Sequence, residues 1–431
     1  MLTKRFPAFE SMDYRRLFLS ASFTSASAWM MFLARGWLVF ELSGSTTVVG
    51  IVTFAGMIPS AIVGPIGGAI ADRFDRRRLA MFASASGIGV HVVLATLTLT
   101  GVVEAWHVIA LAAIGGAAWS SGTPAQDALL PSLLRSPDHL MNGVALSGIA
   151  RHGSRLLGPS FGAAMLATAG VGYVFLIAAG FLALSFWQLY LIEFRSSEGG
   201  AAPTVIERPP LWRSLVRDLA DGVAYIKRDP RVTLIVVLVM LHCGLTMAFD
   251  SMLPTLATMV GGAGEVYGAI IVGLGIGAFA STIGLSVLGN TPVRGGALAV
   301  AGVGSGVAMV ILGVATNPAT VIAGAILAGG SQSAFVVLLT IFLQQVTPDE
   351  YRGRVLSIYT MIAVGHMAFL NFGYGWLADG VGVRPLLIVP GVLWVSVFVA
   401  GAMTIPELRH LLRRGDFRPR AIALDPVLGG D

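Results

Sequence analysis

One cysteine, Cys243, occurs in 431 residues. The chain therefore has no internal disulfide and no cysteine-rich metal site, and Cys243 sits in an apolar segment where it can simply pack. Charge is also scarce: 12% of residues are charged and 55% are apolar, against roughly 25% charged in an average soluble domain. With a mean hydropathy of +0.80, a soluble fold could not bury so much apolar surface. There is no nucleotide P-loop, no H-E-x-x-H and no workable Ser-His-Asp arrangement, and the Gly-rich stretches fall inside apolar segments. No enzyme class is indicated, no metal cluster is spaced for ligation, and an ATP-driven pump would need a nucleotide domain that is missing. A cleavable signal peptide is not visible either. Residues 1–16 are mixed and polar, and the apolar run from Leu17 to Leu42 is too long for a signal core.

The basic residues that are present are distributed unevenly. Of the 28, Arg35, Arg151 and Arg155 lie inside apolar segments and Arg384 stands alone in one set of loops. The others fall in the alternate set, as in a polytopic membrane protein whose Lys- and Arg-rich short loops stay in the cytosol. The net charge of +5 is scattered in membrane-proximal clusters, which suits anionic lipid headgroups and leaves no basic domain for nucleic acid.

At about 20 apolar residues per span, twelve membrane helices are predicted: 17–40, 46–71, 79–100, 106–130, 141–168, 172–194, 232–257, 265–289, 295–316, 318–346, 353–378 and 383–405. An even number places both termini on one side. Lys4, Arg5, Arg15 and Arg16 at one end and Arg409, Arg413, Arg414, Arg418 and Arg420 at the other assign that side to the cytosol. The long connection, 195–231, contains Gly199-Gly200, Pro203, Pro209-Pro210 and seven basic residues. Its second half, Leu211 to Ile226, repeats apolar residues at helical spacing and reads as a helix on the membrane surface. The expected organisation is a first six-helix bundle over 1–194, a cytosolic linker over 195–231, a second bundle over 232–406 and a cytosolic tail over 407–431. The halves resemble each other: an offset of 211 residues matches Pro137-Asp138 with Pro348-Asp349 and Phe161-Gly162 with Phe372-Gly373, and one deletion later Gly-Val-Gly at 170–172 meets Gly-Val-Gly at 380–382. Parallel pseudo-symmetric halves with a substrate path between them are an established transporter plan.

At the end of the second span stands Gly68-Ala-Ile-Ala-Asp72-Arg73-Phe-Asp75-Arg76-Arg77-Arg78. This resembles the loop between helices 2 and 3 of the major facilitator superfamily, G-x-x-x-D-R-x-G-R-R, with Asp75 where that family usually has Gly. The resemblance implies a gating role: Gly68 for close helix approach, and Asp72 with Arg73, Arg76 and Arg77 in a charge cluster that breaks as the halves rock. The plainer alternative is a topology anchor. The second-half counterpart, Gly284 to Arg294, keeps only glycines and one arginine. In the fifth span, Gly158-Pro159-Ser-Phe-Gly162 resembles the G-P-x-x-G core of the family's antiporter signature. The glycines share a face, and Pro159 removes a backbone donor and permits a kink; ordinary tight packing is the alternative. Pro124-Ala-Gln126-Asp127-Ala-Leu-Leu-Pro131 further resembles the twelve-helix drug and siderophore exporter branch. The fourth span lacks the arginine that many proton-linked members place before Gly115-Gly116.

Charges inside the spans are few enough to consider singly. Arg35 and Asp250 each lie about 18 residues, roughly 27 Å, from the start of their spans. In the resembled fold the first and seventh helices meet near the outer face, so the two are candidates for an outer gate. Burial and a neighbouring arginine act on a carboxylate in opposite senses, which suits a proton switch; snorkelling to the outer interface is the alternative. Arg151 and Arg155 lie one turn apart in the fifth span. Asp127 can pair with Arg151, or both arginines face a watery cavity and bind an anionic substrate. His91, His242, His366, Asn371 and Gln332 read as packed polar residues.

These features describe an all-α polytopic protein of the plasma membrane whose partners are lipid and a small-molecule substrate. It needs no cofactor, and a monomer suffices. By resemblance its activity is proton-coupled export of an amphipathic or hydrophobic molecule. The alternatives are a dedicated exporter of one metabolite, such as a siderophore, and a transport-dead sensor or scaffold.

Overall fold

The computed structural model describes residues 6–71, 75–193, 211–288 and 292–417, and among these every regular element is helical. The principal helices are α1 (Met12–Ser43), α2 (Thr46–Ala71), α3 (Arg76–Leu99), α4 (Ala105–Leu129), α5 (Leu140–Thr168), α6 (Val171–Leu191), α7 (Leu211–Arg228), α8 (Pro230–His242), α9 (Leu253–Met259), α10 (Gly264–Ser286), α11 (Val293–Val314), α12 (Pro318–Val346), α13 (Asp349–Val381), α14 (Val383–Thr404) and α15 (Pro406–Arg414). An all-helical answer follows from the bilayer, which offers no water to satisfy backbone groups outside the segment itself. Among the described residues, eleven helical segments are long and apolar enough to cross a membrane, with α8 through α9 counted as one. The long helix α5, with Arg151 and Arg155 in its middle, falls outside that set.

Local chemistry sets the ends. Ser11 accepts a hydrogen bond from Tyr14 N at 3.3 Å to start α1, and Gly44 stops it in a left-handed turn at φ 61°. Asp75 caps α3 by accepting from Arg78 N at 3.0 Å. The residue that departs from the family's glycine therefore acts as a helix cap instead of a flexible turn. Asn317 does the same for α12 through Thr320 N, also at 3.0 Å.

Helix α1 packs between α5 and α6, α3 between α4 and α6, and α11 between α12 and α14. Two long contacts join the chain's first part to its second, α2 along α13 and α5 along α10. Small residues permit the closest approaches, as expected where lipid provides no hydrophobic drive between helices. A Cβ on Gly116 of α4 would overlap the Gly56 carbonyl of α2, and one on Gly329 of α12 would overlap the Leu274 carbonyl of α10. His242 is fully buried, stacked on Phe335 at 4.3 Å between ring centroids and 3.0 Å from Ser305 Oγ.

Helix α7 lies against the start of α13, where Arg354 Nε donates to Asp218 at 2.9 Å and its Nη1 lies 3.5 Å from Asp221. The Gly199-Gly200 to Pro209-Pro210 stretch of the linker lies outside the described residues. The repeat needs one correction. Gly170 and Gly382 both turn the chain at positive φ, 92° and 89°, before the next helix. Gly170 thus corresponds to Gly382, not Gly380, because α13 runs two residues further than an offset of 211 from α5 allows.

Candidate translocation site

The seventh predicted span is not one helix. After α8 the chain passes through a π-turn at Cys243–Met247 and a 3-10 turn at Asp250–Met252 before α9. Side chains from neighbouring helices satisfy the backbone groups freed by this break. Gln332 Nε2 donates to the Thr246 carbonyl at 2.5 Å, and the Tyr374 hydroxyl donates to the Gly244 carbonyl at 3.0 Å. Asn371 Oδ1 accepts from Ser251 N at 3.1 Å, and Ser251 Oγ donates to the Asn371 carbonyl at 2.9 Å. Gln332 and Asn371, expected only to pack, therefore hold the break open. Interrupted spans of this kind expose polar groups at membrane depth and recur at transport sites.

The break presents Asp250. Arg155 of α5 lies within electrostatic reach of it, and the Asn371 carboxamide faces it. The Arg155 guanidinium stacks over Trp29 of α1, 4.8 Å from the ring centroid. Asp250 also borders a cavity of about 80 Å³ together with Arg35, Thr53, Tyr267, Phe32 and Met57. The expected contact between Arg35 and Asp250 thus takes a different form. They share a cavity, but no ion pair joins them among the described residues, and Arg35 Nε donates to Met31 O at 3.2 Å. The unwinding at residues 243–252 is the cause, since it shifts Asp250 off the continuous helical track that equal depth requires.

Asp127 and Arg151 do come together. Arg151 Nη1 lies 2.7 Å and 2.8 Å from the two Asp127 oxygens. Their side chains are 44% and 51% exposed, for Arg151 and Asp127 respectively, beside a recess lined by Trp119, Gln126 and Ser147.

In the loop motif, Arg76 Nη1 donates to Ala128 O at 2.8 Å, Arg77 Nε to Leu189 O at 2.9 Å and Arg77 Nη2 to Tyr190 O at 2.5 Å. These cations meet the carbonyl ends of α4 and α6, where the helix dipole favours positive charge. Gly68 lies in the last turns of α2; Asp72 and Arg73 lie outside the described residues. In the α5 motif the glycines separate in function. A Cβ on Gly158 would come within 2.5 Å of the Ala26 carbonyl of α1, whereas one on Gly162 would meet its neighbours at an ordinary 3.6 Å. Pro159 is buried within α5, which continues through it.

One polar junction was not anticipated. Asp379, near the end of α13, accepts from Ser45 Oγ at 2.6 Å, Thr46 N at 2.8 Å, Thr47 N at 3.1 Å and Thr47 Oγ1 at 2.7 Å, capping α2 in trans. Thr46 and Thr255 hydroxyls meet at 2.7 Å, and Trp37 stacks on Tyr267 at 5.8 Å. The hydrogen bonds joining residues 6–193 to residues 211–417 cluster here, at the end away from the termini. The readable signal was a Ser-Gly-Ser-Thr-Thr helix start with no acidic cap of its own.

Among the described residues no group of His, Cys, Asp and Glu is placed to hold a metal. The chain matches the model of the family described as transmembrane secretion effector over residues 3–425. It is 24% identical over 401 residues to the multidrug efflux pump Tap of Mycolicibacterium fortuitum, covering 92% of this chain and 96% of Tap. It is 27% identical to the uncharacterized MFS-type transporter YfiS of Bacillus subtilis (strain 168), covering 88% and 90%. Its fold is shared with a D-xylose-proton symporter, at a TM-score of 0.68, 15% identity and coverage of 91% of this chain and 98% of that one. The same holds for a POT family transporter in complex with 5-aminolevulinic acid, at a TM-score of 0.71, 15% identity and coverage of 92% and 97%. With eleven apolar spans and only helices among the described residues, and a family match over nearly its whole length, the chain belongs to the major facilitator superfamily and is a multi-pass membrane transporter, not an enzyme.

Proposed function

We propose that this transporter exports an amphipathic or hydrophobic small molecule from the cytosol by alternating access, in exchange for protons. Twelve crossings in two pseudo-symmetric six-helix bundles, 1–194 and 232–406, form the working unit, with α5, which carries Arg151 and Arg155, as one of the twelve. Both termini face the cytosol of the plasma-membrane protein by the loop-charge rule. A single chain contains both halves of the path, so a monomer suffices, and the proton gradient replaces any cofactor. The likeness to Tap, named a multidrug efflux pump, supports efflux.

One observation carries the coupling: Asp250 stands at the break in a span, between Arg155 and a cavity. Protonation removes its charge and leaves Arg155 without an anionic neighbour, which changes the electrostatic balance between α5 and the α8–α9 span. In the conformation described, contacts such as Asp379 with Ser45–Thr47 close the end away from the termini, as required of a state that loads from the cytosol. The motif arginines Arg76 and Arg77 tie α3 to α4 and α6, so the first bundle moves as one body.

The test is uptake of cationic, neutral and anionic fluorescent amphiphiles into inside-out vesicles carrying the protein, with and without a protonophore. Uptake of several dyes that collapses with the gradient is the expected result. Uptake indifferent to the gradient would refute proton coupling, and uptake of none would point to a dedicated exporter.

A further inference from the structure

We propose that the cavity beside Arg35 is an anion subsite, which takes the carboxylate, sulfonate or phosphate group of an amphipathic substrate. This rests on the transport reading above and adds the substrate's chemical class to it.

The charge inventory comes first. Two guanidinium groups, Arg35 and Arg155, lie around one carboxylate, Asp250. Arg155 is already engaged, by stacking on Trp29 and by the field of Asp250. Arg35 is not matched in this way. Its Nε is used by the carbonyl of its own helix, while neither Nη has a hydrogen-bond partner among the described residues. Its other titratable neighbour is His91 of α3, which adds no negative charge. The site therefore holds an excess positive charge. A cation at membrane depth without a partner is costly, and such residues mark ligand paths.

The surroundings are built to receive a ligand. Gly56 of α2 lies beside the guanidinium, where a Cβ would stand at ordinary contact distance, 3.6 Å from Nη1 and 3.8 Å from Nη2. The Tyr267 hydroxyl borders the same cavity, belongs to a side chain only 1% exposed, and has no hydrogen-bond partner among the described residues. The two Nη groups and the Tyr267 hydroxyl can donate; the one carboxylate that shares the lining, Asp250, faces Arg155 as well, so the two guanidinium groups outnumber it. A planar guanidinium with its fork unused matches the paired oxygens of a carboxylate, sulfonate or phosphate. Apart from Asp250 and Thr53, the rest of the lining, including Phe32, Val49, Val52 and Met57, is apolar and can receive the adjoining hydrocarbon.

The test compares two dyes of similar body, 1-anilinonaphthalene-8-sulfonate and the uncharged N-phenyl-1-naphthylamine, binding to the purified full chain in nonionic detergent. The sulfonate is expected to bind at least about tenfold more tightly, a typical margin for charge-assisted hydrogen bonds. Arg35→Gln should abolish that margin and leave the amine unchanged, and Arg35→Lys should keep part of it. If Arg35→Gln does not fold, Arg35→Lys and Tyr267→Phe carry the test, each weakening the sulfonate alone. Equal affinities in the native chain, or sulfonate binding unmoved by these variants, would overturn the subsite. Vesicle uptake of the dyes with sulfonate binding indifferent to Arg35 would sink the subsite and leave export standing. Arg35-dependent binding without uptake of any dye would do the reverse.

Discussion

At the scale of single residues, exposure decides which charges matter. Asp127 and Arg151 make the shortest ion pair among the intramembrane candidates, yet both are about half exposed. Pairs in such surroundings contribute less than about 1 kcal/mol. Asp127→Asn should therefore lower the melting temperature of the purified protein by no more than a few degrees; unfolding on that change would show that the pair is desolvated. This pair was legible in the sequence because both partners sit on uninterrupted helices, where residue number converts directly to depth. Arg35 and Asp250 were legible as a neighbourhood and not as a contact, because no hydropathy pattern marks a π-turn in a uniformly apolar segment. Asn371 and Gln332 were visible as polar residues in apolar spans. Their partners, backbone groups freed by a break elsewhere in the chain, were not.

At the scale of elements, helix spacing is set by a few glycines. Gly116→Ala would drive a methyl group into the Gly56 carbonyl, where backbone must yield. The expected cost is about 1–3 kcal/mol, the usual penalty of overpacking, seen as a lower melting temperature and reduced yield of monodisperse protein. Gly162→Ala, with ordinary contacts at 3.6 Å, should be tolerated in the same assay; equal damage from both would refute the distinction. The trans cap on α2 makes a second prediction. Asp379→Ala removes four hydrogen bonds from the start of α2, and loss of a cap typically costs about 1 kcal/mol, equivalent to a shift of about fivefold between closed and open states of the end away from the termini. In a Cys243→Ser, Thr255→Cys background, labelling by an impermeant maleimide from the outer face should quicken by about that factor. An unchanged labelling rate would show that the cap does not hold that end shut. The spans were legible from the length of their apolar runs, but caps such as Ser11 and Asn317 were not read from them, and the Asp379 cap depends on a helix more than 300 residues away and leaves no local pattern.

At the scale of the whole molecule, the loop charges, the repeat and the motifs at 68–78 and 158–162 indicated a two-part membrane transporter, and the match over residues 3–425 assigns the superfamily. In the reading proposed above, substrate and coupling are set where Asp250, Arg155 and Arg35 arrive from three different elements. The most direct test is to reconstitute native protein and Asp250→Asn in liposomes, then measure dye transport driven by an imposed pH gradient and dye exchange at equal pH. If Asp250 carries the coupled proton, Asp250→Asn should lose gradient-driven transport while keeping exchange; gradient-driven transport at the native rate in that variant would contradict it.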